Sequence, residues 1–120
     1  MQKKVNIGGK KIDMKASAKN LLIYRDYFGE DMLRPQWDFI DNAKAGAIEK
    51  MNGLDIIKIA WTLAKTANDS IPNLDEWLDG FNDFPIVEAV NELTELILSN
   101  LTSITPIKNE KATEKGEKRS

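Results

Sequence analysis

The 120-residue chain contains no cysteine and no histidine. The first absence excludes disulfides, thiolate metal sites and cysteine nucleophiles together. The second removes the commonest general base and the commonest transition-metal ligand. Any catalysis would have to run on carboxylates, lysines or hydroxyls. An excess of positive charge is also missing. The 17 Lys and Arg stand against 19 Asp and Glu, for a net charge of −2. A protein that coats a phosphate backbone carries the opposite balance, so nucleic-acid binding would need a local basic patch. No apolar run is long enough to span a bilayer. The opening MQKKVNIGGKK has no apolar stretch resembling a signal peptide. Together these absences give the expectation of a cytoplasmic protein with no membrane partner.

What is present is ordinary for a globular protein, at 42% hydrophobic and 30% charged residues. One domain is expected at this length, with a real core and modest stability to spare. Val5 and Ile7 alternate with polar residues, Gly8-Gly9 offers a turn, and Ile12 and Met14 alternate again, which is a β-hairpin signal. Helical periodicity begins near Ser17, a candidate N-cap. It places Ala18, Leu21, Leu22 and Phe28 on one arc, with Tyr24 at its flank and Arg25 inside it. Gly29 stands where a left-handed C-terminal cap belongs. A second helix starts around Pro35, its face built from Trp37, Ile40, Ala43, Ala47 and Met51. Gly46 is a point where it kinks or breaks, and Asn52-Gly53 ends it.

The run LDIIKIAWTLAKTA reads as a third helix, apolar nearly all round except for a stripe of Lys58, Thr62, Lys65 and Asp69. So narrow a wet edge marks it as the central helix of the bundle. Asn73 followed by Glu76 is a capping-box-like start for a short helix anchored by Trp77 and Leu78 and ended by Gly80. A last helix spans roughly 84 to 103, with a polar stripe of Glu88, Glu92, Glu95, Ser99 and Thr102. After Thr105-Pro106 apolar content nearly vanishes, and such a segment cannot offset the entropy of ordering itself. The expected organisation is thus a mainly α (α+β) domain over residues 1–105, a bundle of about five helices with a small N-terminal hairpin. A disordered charged tail over 106–120 follows it.

Chemistry-bearing patterns are sparse. Asp26, Glu30 and Asp31 lie close together, as do Asp75, Glu76 and Asp79, but carboxylates in helix first turns are already explained by capping and the helix dipole. DGFND (79 to 83) lacks the alternating ligands of an EF-hand loop, and GGKK (8 to 11) lacks the spacing of a phosphate-binding loop. No catalytic, cofactor-binding or metal-binding residue is assigned, and no enzymatic activity is expected. Short helices joined by tight turns leave a helical DNA-binding regulator as the alternative, although Lys58 and Lys65 fall on a helix whose composition is that of a core. Of the three tryptophans, Trp61 reads as a core anchor; an exposed tryptophan such as Trp37 would instead mark a contact for another protein.

The order of features resembles a family. A hairpin precedes "YRDYFGEDM" (24 to 32), "IAWTLAK" (59 to 65) follows, then "PNLDEWLDGF" (72 to 81), a last helix and a charged tail. This pattern is similar to the tail assembly chaperones of long-tailed phages and prophages of Gram-positive bacteria, over about residues 1 to 100. The positions that carry it are Tyr24, Arg25, Phe28, Gly29, Asp31, Trp77 and Leu78. The resemblance implies a non-enzymatic protein of the host-cell cytoplasm during phage assembly, absent from the mature virion. It implies binding to the tape measure protein, which is kept soluble, and recruitment of the major tail (tube) protein. The latter contact is implied for a frameshift-extended form, and Ile107-Lys108-Asn109 is compatible with a slippery AUA AAA AAC run. Weak homo-oligomerisation is left open.

A holdase must cover apolar stripes of its client and still release them, which calls for an amphipathic surface of moderate affinity. Ile23 and Tyr27 project from the first helix away from the arc of Leu21 and Phe28. With Trp37 they are the candidate partner-binding residues, although sandwiching of this helix between neighbours would produce the same pattern. Arg25 inside the apolar arc is expected to pair with Asp31 past the Gly29 turn, clamping the corner between the first two helices.

Overall fold

A computed structural model describes residues 1–104 of the chain; the expected tail and the Ile107-Lys108-Asn109 site lie outside the described residues. The order is β1 (Gln2–Ile7), β2 (Lys10–Lys15), α1 (Lys19–Phe28), α2 (Leu33–Lys44), α3 (Gly53–Ala67), α4 (Leu74–Asp79) and α5 (Ile86–Ile104). A single 3₁₀ turn, Ile48–Lys50, joins α2 to α3. Five helices and an antiparallel hairpin are the architecture the periodicities predict.

The hairpin pairs Val5 with Ile12 and Ile7 with Lys10. Its two-residue turn puts both Gly8 (φ 59) and Gly9 (φ 80) in the left-handed region, which matches the right-handed twist of the strands and demands glycine. Gly8 is doubly constrained, since a Cβ there would meet the Asp83 carbonyl oxygen at 2.6 Å. Alternation buries Val5, Ile7, Ile12 and Met14 on one face, and β2 lies on α3.

The other edge of the hairpin is closed by α5. Glu88 Oε1 accepts from the Gly8 backbone N–H at 2.7 Å, Glu92 Oε1 accepts from Asn6 N–H at 2.9 Å, and Lys3 Nζ donates to Glu95 Oε1 at 3.0 Å. Residues 88, 92 and 95 recur at helical spacing, so one stripe of α5 runs along β1 and satisfies donors that an open strand edge would leave to water or to another chain. The polar stripe expected on α5 is therefore not simply a solvated face: its glutamates are partners of the hairpin.

Helix α3 is central, with β2, α1, α2, α4 and α5 all packed against it. Ile59, Ala60, Trp61, Leu63 and Ala64 are buried on several sides. Of the expected wet stripe, Lys58, Thr62 and Lys65 are buried or half-buried, whereas Asp69 lies beyond the end of the helix and is exposed. Thr62 is fully buried and donates its hydroxyl to the Lys58 carbonyl at 2.8 Å. Lys65 runs its ammonium to the carbonyls of Asp69 (2.6 Å) and Ile71 (2.8 Å), keeping its stem over apolar neighbours. Asn52 caps the start of α3 by accepting from Asp55 N–H at 3.1 Å, and Asn73 caps α4 by accepting from Glu76 N–H at 2.9 Å.

Three boundaries differ from the periodic reading. α2 begins at Leu33, with Pro35 inside its first turn, and ends at Lys44, because Gly46 (φ 68) breaks the chain direction well before Asn52-Gly53. Ser17 does not cap α1 with its side chain. Instead its backbone N–H donates to Asn20 Oδ1 at 3.0 Å. The buried face of α1 is Asn20 and Tyr24, and Leu22, expected in the core arc, is 59% exposed.

A buried amide cluster accompanies that shift. Asn20, Gln36 and Asn100 are all within 1% of full burial. Asn100 Nδ2 donates to Asn20 Oδ1 (3.0 Å) and to Gln36 Oε1 (3.1 Å), and Asn20 Nδ2 donates to Lys15 O (3.1 Å) and Thr66 Oγ1 (2.7 Å). Five elements are thereby tied to one polar point. Rotating α1 to place Asn20 there carries Leu22 outward.

Candidate partner-binding surface

α1 runs from Lys19 to Phe28 and stops at Gly29, which takes φ 70 and donates its N–H to the Arg25 carbonyl at 2.8 Å. The chain then reverses through Glu30 and Asp31 into α2. Asp31 Oδ1 accepts from Leu33 N–H at 3.0 Å, so this carboxylate serves the start of α2. Arg25 is exposed and forms no ion pair within 4.0 Å among the described residues. The expected Arg25–Asp31 clamp is thus absent: Arg25 sits at the wet rim of α1, not inside an apolar arc, and Asp31 is already engaged by backbone. The glycine cap and the Asp31 bond hold the corner instead.

α1 rests chiefly on α3, and α2 chiefly on α5. A groove of about 530 Å³ opens at their shared corner, lined by Leu21, Arg25, Gly29, Glu30, Asp31 and Leu33. Leu21 and Leu33 supply apolar walls, and Arg25, Glu30 and Asp31 supply charges of both signs. Trp37, 38% exposed, lies one turn beyond Leu33 on the same face of α2. Leu22 stands beside Leu21 on α1, uncovered.

The three candidate partner residues are placed unequally. Tyr27 is 54% exposed, with its ring set edge-on to the buried Trp61 at 4.8 Å. Ile23, one turn earlier on the same flank, is half-buried and packs on the core. The flank of Ile23 and Tyr27 therefore leans toward α3, whereas Trp37 continues the wall that Leu33 begins. Sequence periodicity missed Leu22 as a surface apolar group, because the burial of Asn20 on the opposite side of α1 depends on partners far away in the chain. Asn100 itself was legible: it occupies an apolar-arc position in LILSNL, where a polar residue calls for partners.

The remaining motif positions are structural. Tyr24 is fully buried and meets Phe28 edge-on at 4.9 Å; Phe28 in turn meets Trp61 at 5.4 Å, with Lys58 Nζ 5.2 Å over its face. Trp61 Nε1 donates to the Pro72 carbonyl at 2.8 Å. Trp77 is buried against Phe81 (4.9 Å) and Phe84 (6.1 Å), and Leu78 packs on the core, so α4 is held by an aromatic cluster beside the hairpin turn. The Tyr24 hydroxyl has no hydrogen-bond partner among the described residues, and burial, followed by the charges of Asp55 and Glu30, pushes its pKa up.

A second, smaller cavity of about 120 Å³ lies between α2 and α3. Phe39, Met51, Ile56 and Ile59 wall it, Asp38 and Asp55 face it from the two helices, and Lys50 stands at its rim. Burial raises the Asp55 pKa; Lys58 opposes this, while Glu30 and Asp38 add to it. Among the described residues no group of three or more carboxylates is placed to hold a metal ion, and no helix is long and apolar enough to cross a membrane.

Comparison with known proteins finds no match among family models, curated proteins or solved structures.

Proposed function

We propose that the protein is a non-enzymatic tail assembly chaperone of a phage or prophage, acting by covering apolar helical stripes of a tape measure protein. The observation that supports this most is the α1–α2 corner groove, with Leu21 and Leu33 as walls and Leu22 and Trp37 left uncovered beside it. Leu22 and Trp37 are two of several large apolar groups exposed on the described surface, and beside an apolar-walled groove they can extend a protein-binding patch. A groove between two helices suits the apolar face of a third, read at one-turn intervals. The sequence pattern around YRDYFGEDM and PNLDEWLDGF, through its resemblance to that family, supplies the client. The rim of Arg25, Glu30 and Asp31 would favour register over raw affinity, which suits a client that must later be released into the tube.

The test is co-expression with the tape measure protein encoded in the same gene cluster. The client is expected in the soluble fraction with the native chain and in the pellet with a Leu22→Ser/Trp37→Ser variant. Equal client solubility with and without the protein would remove the proposal. A salt-sensitive shift of duplex DNA by the purified protein would replace it with a DNA-binding role.

A further inference from the structure

The cavity between α2 and α3 has features that the corner groove lacks. At about 120 Å³ it is too small for a typical small-molecule site of about 300–1,000 Å³, yet comparable to the cavity of about 150 Å³ that accepts one benzene ring. Its capacity is therefore that of one side chain. Phe39, Ile56 and Ile59 are buried walls, and Met51 is an adaptable one. Two carboxylates, Asp38 from α2 and Asp55 from α3, face it, and neither is in an ion pair within 4.0 Å among the described residues. Lys58, the neighbouring cation on α3, is already paired with Glu30 at 3.5 Å. Lys50 at the rim reaches neither carboxylate.

We infer that this cavity is an anchor pocket for one basic side chain, a lysine or arginine, on the partner helix. An aliphatic stem of three or four methylenes would lie along Phe39, Met51, Ile56 and Ile59. The cationic head would stop between Asp38 and Asp55. Charge complementarity selects this occupant: an apolar side chain would leave Asp55 half-buried and unpaired, and an acidic one would add a third negative charge. Burial raises the Asp55 pKa, Lys58 opposes this and Glu30 and Asp38 add to it, while no cation among the described residues comes within ion-pair distance of the carboxylate. This inference rests on the reading above only for the identity of the partner; the pocket's chemistry is independent of it.

The test uses n-butylammonium as the probe and n-butanol as its neutral counterpart, with the methyl resonances of Met51, Ile56 and Ile59 followed by NMR on the full chain. Butylammonium is expected to give saturable shifts. Butanol, and butylammonium with an Asp38→Asn/Asp55→Asn variant, are each expected to bind about tenfold more weakly. Asp38→Asn alone, at an exposed position, gives an intermediate loss without risk to the fold. Lys50→Met is expected to tighten binding by removing a like charge. Equal responses to the amine and the alcohol, an Asn variant that binds unchanged, or no saturable shift would each overturn the inference. An amine that binds while client solubility fails keeps the pocket and discards the chaperone. The reverse pattern places the client elsewhere on the surface.

Discussion

Asn100 and Asn20 are joined side chain to side chain at 3.0 Å, 80 residues apart in sequence and both buried. This bond, with the one to Gln36 at 3.1 Å, ties α1, α2 and α5 together through buried side chains.

Removing Asn100 alone should be costly. Asn100→Ala would leave the buried Gln36 Oε1 without a donor and take from Asn20 Oδ1 one of its two, the Ser17 N–H remaining, at about 1–3 kcal/mol for the group left unpaired. A urea midpoint lowered accordingly, with little change in slope, is the expected result. Replacing Asn100 and Gln36 together by leucine should recover part of that loss, since Gln36 Oε1 is then no longer there to lack a donor and Asn20 keeps its bonds to Ser17, Lys15 and Thr66. If Asn100→Ala matches the native stability, the cluster does not hold the helices in place.

The glutamate ladder gives a second outcome. Glu88→Ala and Glu92→Ala should each cost about 0.5–1.5 kcal/mol and leave the amides of Gly8 and Asn6 to exchange faster. Glutamine at either position keeps an acceptor and should cost less. The double alanine variant should self-associate at concentrations where the native chain does not, because it opens a strand edge. Unchanged exchange at Asn6 and Gly8 would show that α5 is not their partner.

Tyr24 links burial to pH. Its hydroxyl has no partner, and its pKa is raised above the ordinary value of 10.0. In the folded state the proton is therefore held more tightly than in the unfolded chain, so stability is full below about pH 10 and falls as pH rises beyond it. Tyr24→Phe should lose that alkaline limb and, at neutral pH, be as stable as the native chain or about 1 kcal/mol more so. A phenylalanine variant with the same alkaline decline would assign that decline to another group.

Much of this fold was legible locally. The hairpin follows from the alternation of Val5, Ile7, Ile12 and Met14 around two glycines, and the start of α4 follows from Asn73. Each is decided by residues within a few positions of one another. What escaped was set by distant partners. Leu22 was misplaced because Asn20 answers to Asn100, and Thr62 was read as wet because its cover comes from neighbouring elements. Arg25 was paired with Asp31 by proximity in sequence, whereas Asp31 is taken by a backbone N–H two residues on. Of the candidate partner residues, Tyr27 and Trp37 are exposed and Ile23 is half-buried on the core; the exposed apolar group of α1 that escaped is Leu22.

At the corner itself, Arg25→Ala should change stability by less than about 0.5 kcal/mol, since the guanidinium makes no ion pair. Its expected effect is on client capture, through the groove rim, with stronger salt dependence lost rather than affinity abolished. A large drop in melting temperature would restore a structural role to Arg25.

Hydrogen exchange on this protein, alone and mixed with a soluble tape measure fragment, tests shielding most directly. Docking in the groove predicts slowed exchange concentrated in residues 20–37, with the hairpin and the α5 ladder unchanged. No slowing anywhere, or slowing confined to the hairpin, would contradict the proposal that this surface covers another chain.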